Sequence, residues 1–328
     1  MIIVRTPLRI SLFGGGTDFP EYFKANGGGV IGSAIDKYIY HTLSHFPSWL
    51  FEHKIRFAYR IVEQVPDVEH IKHRPFKEIL KYHGIHENIE VNLASDLPSF
   101  TGLGSSSSFT VGLIKGLNAF KGQLIGMKEL AQTAIHLERN VLEESVGFQD
   151  QLFASYGGFN HIKFYGNESF DVERINVNEG QTQELSDNLI LLYTGMTRRA
   201  SDIEEEKLKR MDKNLSSLDR MYACVDEARK VLSSGDSIDD IGHLLDESWQ
   251  LKRSLSGDVT NPHIDDAYKL GMQSGALGGK LLGAGGGGFL LFYVPKREQH
   301  RFRSAFSNMH EVAVTLNAQG SSVIHAGS

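Results

Sequence analysis

Glycine occurs 34 times in this chain of 328 residues and is concentrated in four places: Gly14 to Gly16, Gly27 to Gly29, Gly102 to Gly104, and Gly283 to Gly288. Glycine clusters between strand-like runs mark points where the backbone turns tightly or comes close to a ligand. The segments they separate differ in period. Ile31 to Leu43 and Ile89 to Leu93 read as extended, whereas Ser105 to Ala119 and Met127 to Glu144 carry the helical repeat. Asp187 to Thr194 reads as another strand, and Ser201 to Lys252 is almost wholly helical, with a break near Ser233 to Asp236. A helix over Pro262 to Ser274, a strand over Phe289 to Val294, a helix over Arg297 to Ser307 and one or two short strands complete the chain. The pattern predicts an α+β fold, with helices on one face of an antiparallel sheet in the second half. A hydrophobic content of 41% supports two domains, 1–187 and 188–328.

A formal charge of −6 without a basic stripe argues against nucleic acid as a partner. No apolar run approaches the ~20 residues that cross a bilayer, so no membrane partner is expected. One cysteine, Cys224, forms no intrachain disulfide, and Arg5 and Arg9 interrupt the apolar residues of the amino terminus. A cytoplasmic location is the expectation.

Gly27 to Gly32 and Gly283 to Gly288 both match G-x-G-x-x-G, but each runs into a strand-like segment, Ala34 to Tyr40 or Phe289 to Val294. A dinucleotide site needs that loop to open a helix, which argues against a nicotinamide-dependent oxidoreductase. Gly279-Lys280 is no Walker A motif, because Ser274 and Leu281 occupy its first and last defining positions. The third cluster does open a helix. Gly102-Leu103-Gly104 precedes Ser105 to Ser108 and an apolar-periodic run through Val111, Leu113, Ile114 and Leu117. Glycines admit an anion to the backbone, serines supply hydroxyls and the helix dipole favours negative charge there; an ordinary N-cap is the plainer reading.

Glu138 projects from the same helical face as Ala134, Ile135, Val141 and Leu142. A buried acid needs a partner, either a metal ion or a structural Arg or Lys. Asp150 in Gly147-Phe148-Gln149-Asp150-Gln151 follows a helix and, taken alone, suits a turn or cap. The H-x-x-H pairs His70/His73 and His83/His86 have no third ligand nearby and read as solvated histidines. No G-x-S-x-G elbow supports a serine hydrolase.

Taken together, Pro7-Leu8-Arg9-Ile10-Ser11-Leu12-Phe13-Gly14-Gly15-Gly16-Thr17-Asp18, Gly102-Leu103-Gly104-Ser105-Ser106-Ser107, Gly147 to Gln151 and Gly283 to Gly288 resemble the GHMP kinase superfamily, in that family's order and over nearly the whole chain. Ile35-Asp36-Lys37-Tyr38, Thr194-Gly195 followed by Arg198, and Glu247-Ser248-Trp249 with Lys252 resemble the bacterial heptose phosphate kinases within it, with fucose kinases the nearest alternative. The resemblance implies a ribosomal-protein-like βαβ amino-terminal domain and a ferredoxin-like carboxy-terminal domain, with ATP and a sugar phosphate between them. It further implies that Gly102, Leu103, Gly104, Ser105, Ser106 and Ser107 wrap the ATP phosphates and that Ser106 and Glu138 hold Mg²⁺. Asp150 and Arg9 are then the catalytic pair, and Gly15, Gly16, Thr17, Asp18, Arg198, Gly285 and Gly286 meet the sugar. Galactokinases have Glu-His where this chain has Gly15-Gly16, which implies room for a sugar longer than a hexose. A monomer or homodimer is expected. A sugar sensor on the same fold is the alternative from another class, and Arg9, Ser106, Glu138 and Asp150 argue against it.

Overall fold

The computed structural model describes residues 1–175, 179–197, 204, 206, 208–234 and 237–327. It opens with β1 (Ile2–Phe13), whose Val4, Leu8, Ile10, Leu12 and Phe13 are fully buried. Pro20 at the first position starts the short helix α1 (Pro20–Asn26), and Gly27, at φ 69°, ends it. The long strand β2 (Gly28–His45) then runs antiparallel to β1. Gly28 and Gly32 allow its close approach to neighbouring backbone, because a Cβ would stand 2.1 Å from the Thr17 carbonyl oxygen or 2.6 Å from that of Ile10. That second glycine cluster therefore packs a strand and cradles no dinucleotide.

A hairpin of β3 (Ile55–Ala58) and β4 (Val62–Val65), helix α2 (Arg74–Tyr82) and strand β5 (Ile89–Ser95) follow. Helix α3 (Ser105–Phe120) is apolar on nearly every side and lies buried against β1 and β2, with Gly112 and Gly116 making room for His41 and Leu43. Next, α4 (Met127–His136) gives way to a π turn at Leu137–Val141. The single helix expected over Met127 to Glu144 thus ends early, and Glu143, at φ 56°, stops it. Helix α5 (Gln149–Tyr156) and strands β6 (Phe159–Phe164) and β7 (Phe170–Arg174) complete the first half.

The second half holds α6 (Glu179–Asn188), β8 (Leu189–Tyr193), α7 (Met211–Ser234), α8 (Asp240–Ser254), α9 (Pro262–Gln273), β9 (Gly278–Leu281), β10 (Phe289–Tyr293), α10 (Gln299–Ala305), β11 (His310–Val312) and β12 (Ser322–Ala326). The larger sheet runs β12-β1-β2-β5-β3-β4, with β6 and β7 branching from the first part of β2; the smaller is antiparallel in the order β11-β8-β10-β9.

The second sheet begins at Leu189, yet the last strand returns to the first sheet, where Ala326 pairs with Ile2. One apolar cluster spans both sheets, joining Leu8 and Ile10 to Leu191, Leu282 and Phe289. Helix α7 likewise buries Leu218 and Met221 among Phe23, Phe148 and Phe153. These contacts hold the two sheets at a fixed distance, and the functional residues collect at their seam.

Candidate active site

Arg9 stands near the end of β1, only 6% exposed at its side chain, and uses its guanidinium to join three segments. Nε donates to Asp150 Oδ1 and Nη2 to Oδ2, each at 2.7 Å, while Nη1 donates to the Gly102 carbonyl oxygen at 2.6 Å. Its backbone amide donates to the Leu103 carbonyl oxygen at 3.0 Å. Asp150, in the first turn of α5, keeps 25% of its side chain exposed and is the member of the pair that a ligand can reach. The fork fixes its carboxylate plane.

Gly104 is the N-cap of α3 in the left-handed conformation, and a Cβ there would lie 3.2 Å from Arg9 Cγ and 3.3 Å from Asp150 Oδ2. No side chain caps this helix, so the amides of its first turn point out beside the Arg9–Asp150 pair. Such a terminus suits an anion. The serines divide their work. Ser107 Oγ donates to Glu138 Oε2 at 2.9 Å and Ser108 Oγ to the Pro7 carbonyl oxygen at 2.7 Å, whereas Ser106 is exposed. Ahead of them, Phe100 takes φ 63° and is itself exposed, and Thr101 Oγ1 closes the turn on the Pro98 carbonyl oxygen at 2.9 Å.

Glu138 is fully buried on the π turn. Oε2 accepts from Ser107 and from Gln151 Nε2, but Oε1 has no protein partner. Burial, helped by the charge of Glu144, pushes its carboxyl up to about 7 against the hydrogen bonds from Gln151 and Ser107. A buried carboxylate oxygen without a donor suits a hard divalent cation, so Glu138 fits the expected Mg²⁺. The hydroxyl the structure places on Glu138 is that of Ser107 and not that of Ser106, one helical position earlier.

Gly14 and Gly16 take φ 78° and 105°, and the Thr17 hydroxyl locks the turn, its single proton shared between the carbonyl oxygens of Gly14 and Gly29 at 2.8 and 2.9 Å. Thr17 is wholly buried and acts on the loop. Asp18 accepts from the amides of Gly16 at 2.9 Å and Gln149 at 3.2 Å. Burial nevertheless pushes its carboxyl up to about 6, and the charge of Asp150 adds to the effect. The space at the three glycines is not equivalent. A Cβ at Gly14 would stand 2.0 Å from the Gly29 carbonyl oxygen and 2.7 Å from Val225 Cγ2 on α7, and one at Gly16 would meet Leu218 Cδ2, also on α7, at 3.2 Å. A Cβ at Gly15 would have only Ser11 Oγ, at 3.5 Å, and Gln149 Nε2, at 3.8 Å, within reach. Of the two positions where room is expected, Gly15 is the more open.

The fourth glycine cluster meets the third. A Cβ on Gly283 would lie 2.4 Å from Gly102 Cα, and one on Gly288 would lie 2.3 Å from the Thr101 carbonyl oxygen. Gly285 and Gly286 instead face Val259, whose carbonyl oxygen accepts from the Gly286 amide at 3.0 Å. Arg198 and its neighbour Arg199 lie outside the described residues. Lys252, a further sequence candidate for the acceptor phosphate with an ordinary surface cation as the alternative, is buried, and its Nζ donates to the carbonyl oxygens of Leu281, at 2.9 Å, and Gly283. Sequence reasoning missed Ser107 as the Glu138 partner, Gln151 beside it, and the buried Lys280. Ser107 and Gln151 had a signal, their places in the Gly102 to Ser107 and Gly147 to Gln151 motifs. His70 pairs with Asp67, His73 caps α2, and no cluster of three metal-ligating side chains exists among the described residues. Among those residues, no helix is long and apolar enough to cross a membrane.

The model of the GHMP kinases N terminal domain matches residues 70–158, and that of the GHMP kinases C terminal domain matches residues 223–311. A D-glycero-alpha-D-manno-heptose 7-phosphate kinase of Campylobacter jejuni is 32% identical, over 93% of this chain and 92% of its own. An L-fucokinase/L-fucose-1-P guanylyltransferase of Bacteroides fragilis is 27% identical over 91% of this chain, which spans 35% of that longer protein. The crystal structure of a D-glycero-D-manno-heptose 1-phosphate kinase from Bacteroides thetaiotaomicron superposes with a TM-score of 0.81, at 22% identity and 100% coverage of both chains. With both halves matched, a relative alike over nearly its full length and a shared two-domain fold, the chain belongs to the GHMP kinase family and is a phosphotransferase acting on an alcohol group.

Proposed function

We propose that this ATP-dependent sugar kinase phosphorylates D-glycero-D-manno-heptose 7-phosphate at its anomeric hydroxyl. The supporting observation is the Arg9–Asp150 fork at the open amino terminus of α3, which puts an oriented carboxylate and a cation beside an anion site. In this reading residues 1–187 carry the ATP site and residues 188–328 complete the sugar site. The amides and hydroxyls of Gly102 to Ser107 bind the phosphates, and Asp150 accepts the sugar hydroxyl proton or orients that hydroxyl. Arg9 stabilises the transferring charge. Mg²⁺, when bound, would be held by Glu138 with Ser107 or Ser106 and would neutralise phosphate charge. Asp18 and the Gly15 backbone line the acceptor side, where the space beside Gly15 leaves room for a sugar longer than a hexose.

The choice of heptose 7-phosphate follows the Campylobacter relative, alike over nearly the whole chain. An ATP-to-ADP assay over a panel of sugars and sugar phosphates tests it, with the product position read by phosphorus NMR. Turnover of heptose 7-phosphate to the 1,7-bisphosphate supports the reading. Preference for heptose 1-phosphate or for L-fucose would replace it with the activity that the other two relatives are named for.

A further inference from the structure

Two buried lysines lie beside the seam between the sheets, and one of them, Lys280, crosses it. Lys280 lies on β9, 2% exposed, and its Nζ donates to the Leu12 carbonyl oxygen at 2.8 Å. Leu12 is the penultimate residue of β1, immediately ahead of the Gly14 to Asp18 turn. One residue further along β9, the Leu281 carbonyl oxygen accepts from Lys252 Nζ, which also holds the Gly283 carbonyl oxygen. These contacts close a circuit. Gly283 packs on Gly102, Gly102 accepts from Arg9, Arg9 lies three residues before Leu12 on β1, and Leu12 is tied through Lys280 back to the strand that leads into Gly283.

A purely apolar seam would be easier to build, because burying an ammonium group is unfavourable unless polar groups surround it. What an ammonium adds is direction. Its donors reach backbone carbonyls at the two points where the β1 turn and the glycine loop leave their strands, points that no side chain of those glycines can anchor. We propose that Lys280 is a positioning residue that sets the Gly14 to Asp18 turn against the second sheet, with Lys252 setting the Gly283 end of the glycine loop in register with it. Lys280 controls the acceptor side of the cleft, while the α3 terminus on the phosphate side keeps its geometry.

This inference rests on the acceptor binding at the Gly14 to Asp18 turn, as in the function proposed above. The test therefore has one arm that needs no substrate. In hydrogen–deuterium exchange of the ligand-free full chain, K280M, which keeps the length of the side chain and removes its charge, should speed exchange of the Gly14 to Asp18 amides about tenfold or more while the first turn of α3 is unchanged. In the kinetic arm, K280M should raise KM for the sugar phosphate about tenfold or more with KM for ATP within about threefold, and K280R should restore most of the loss. Unchanged exchange in the Gly14 to Asp18 turn overturns the inference whatever the substrate proves to be. So does an equal rise in both KM values, or K280R behaving like K280M. A wild-type enzyme inactive on every sugar phosphate would refute the proposed function, and the exchange arm would still decide the role of Lys280.

Discussion

Arg9 and Asp150, 141 residues apart in sequence, form a two-pronged ion pair, and the third edge of the same guanidinium carries the Gly102 carbonyl oxygen. The contact places the acceptor-facing carboxylate and the phosphate loop on two edges of a single rigid group.

Asp150→Asn keeps the shape of the side chain but replaces a charged acceptor with an amide that cannot take a proton. Turnover should fall roughly a hundredfold or more while ATP affinity stays near wild type. Steady-state kinetics with nucleotide binding measured in parallel checks this, and near-normal turnover would reduce Asp150 to an anchor for Arg9.

Glu138 ties pH to stability. Its folded carboxyl is raised from 4.5 to about 7, so below pH 4.5 both states are protonated and its contribution is fully present. Between 4.5 and about 7 the unfolded chain ionises first, and stability falls as pH rises; the loss is on the order of 3 kcal/mol. Asp18, raised from 3.8 to about 6, acts in the same direction over a lower window. Buried His41 and His83, whose imidazoles are pushed down to about 3 and about 4, act in the opposite direction by raising stability as pH approaches 6.5, so the test is a difference: between pH 5 and 7.5 the Tm of metal-free Glu138→Gln should gain on that of the wild type in calorimetry. The same variant should raise the Mg²⁺ requirement. Comparing Ser107→Ala with Ser106→Ala then shows which hydroxyl the metal uses, since removing an oxygen ligand raises the requirement and removing a bystander does not.

Gly102 has φ 83°, and a Cβ there would stand 2.4 Å from the Leu282 carbonyl oxygen. Gly102→Ala adds a left-handed penalty of roughly 1 to 2 kcal/mol and pushes the two glycine loops apart. Tm should fall by several degrees and kcat/KM by about tenfold or more. Wild-type kinetics in this variant would mean that the loops need not touch during turnover.

Arg198 is the candidate for the phosphate of the acceptor, by the reading made from sequence. Arg198→Ala should raise KM for heptose 7-phosphate by roughly tenfold to a hundredfold, the worth of a charged hydrogen bond, with KM for ATP little changed. Activity on unphosphorylated heptose equal to that on its 7-phosphate in the wild type would remove the need for any such residue.

Much of this chemistry was legible along the chain because it is local. The serines that follow Gly104 announce a helix start, Glu138 shows itself as an acid on an apolar face, and the glycine clusters mark where backbone must approach backbone. The two decoy loops could be rejected because a strand, and not a helix, follows each. Contacts that join distant segments were not legible. Helical period places Ser106 and Ser107 in the same turn, but only the docking of the π turn on α3 decides that Ser107 meets Glu138. Gly16 looks like open space until Leu218, two hundred residues later, is packed against it. Lys252 and Lys280 look like surface cations because most lysines are; Lys280 is buried where the second sheet meets β1 and bonds to Leu12, and Lys252 where its helix packs on β9 and the Gly283 loop. Periodicity reports which residues share a face, whereas the partner of that face is set by the packing of the whole chain, and here that packing builds the cleft.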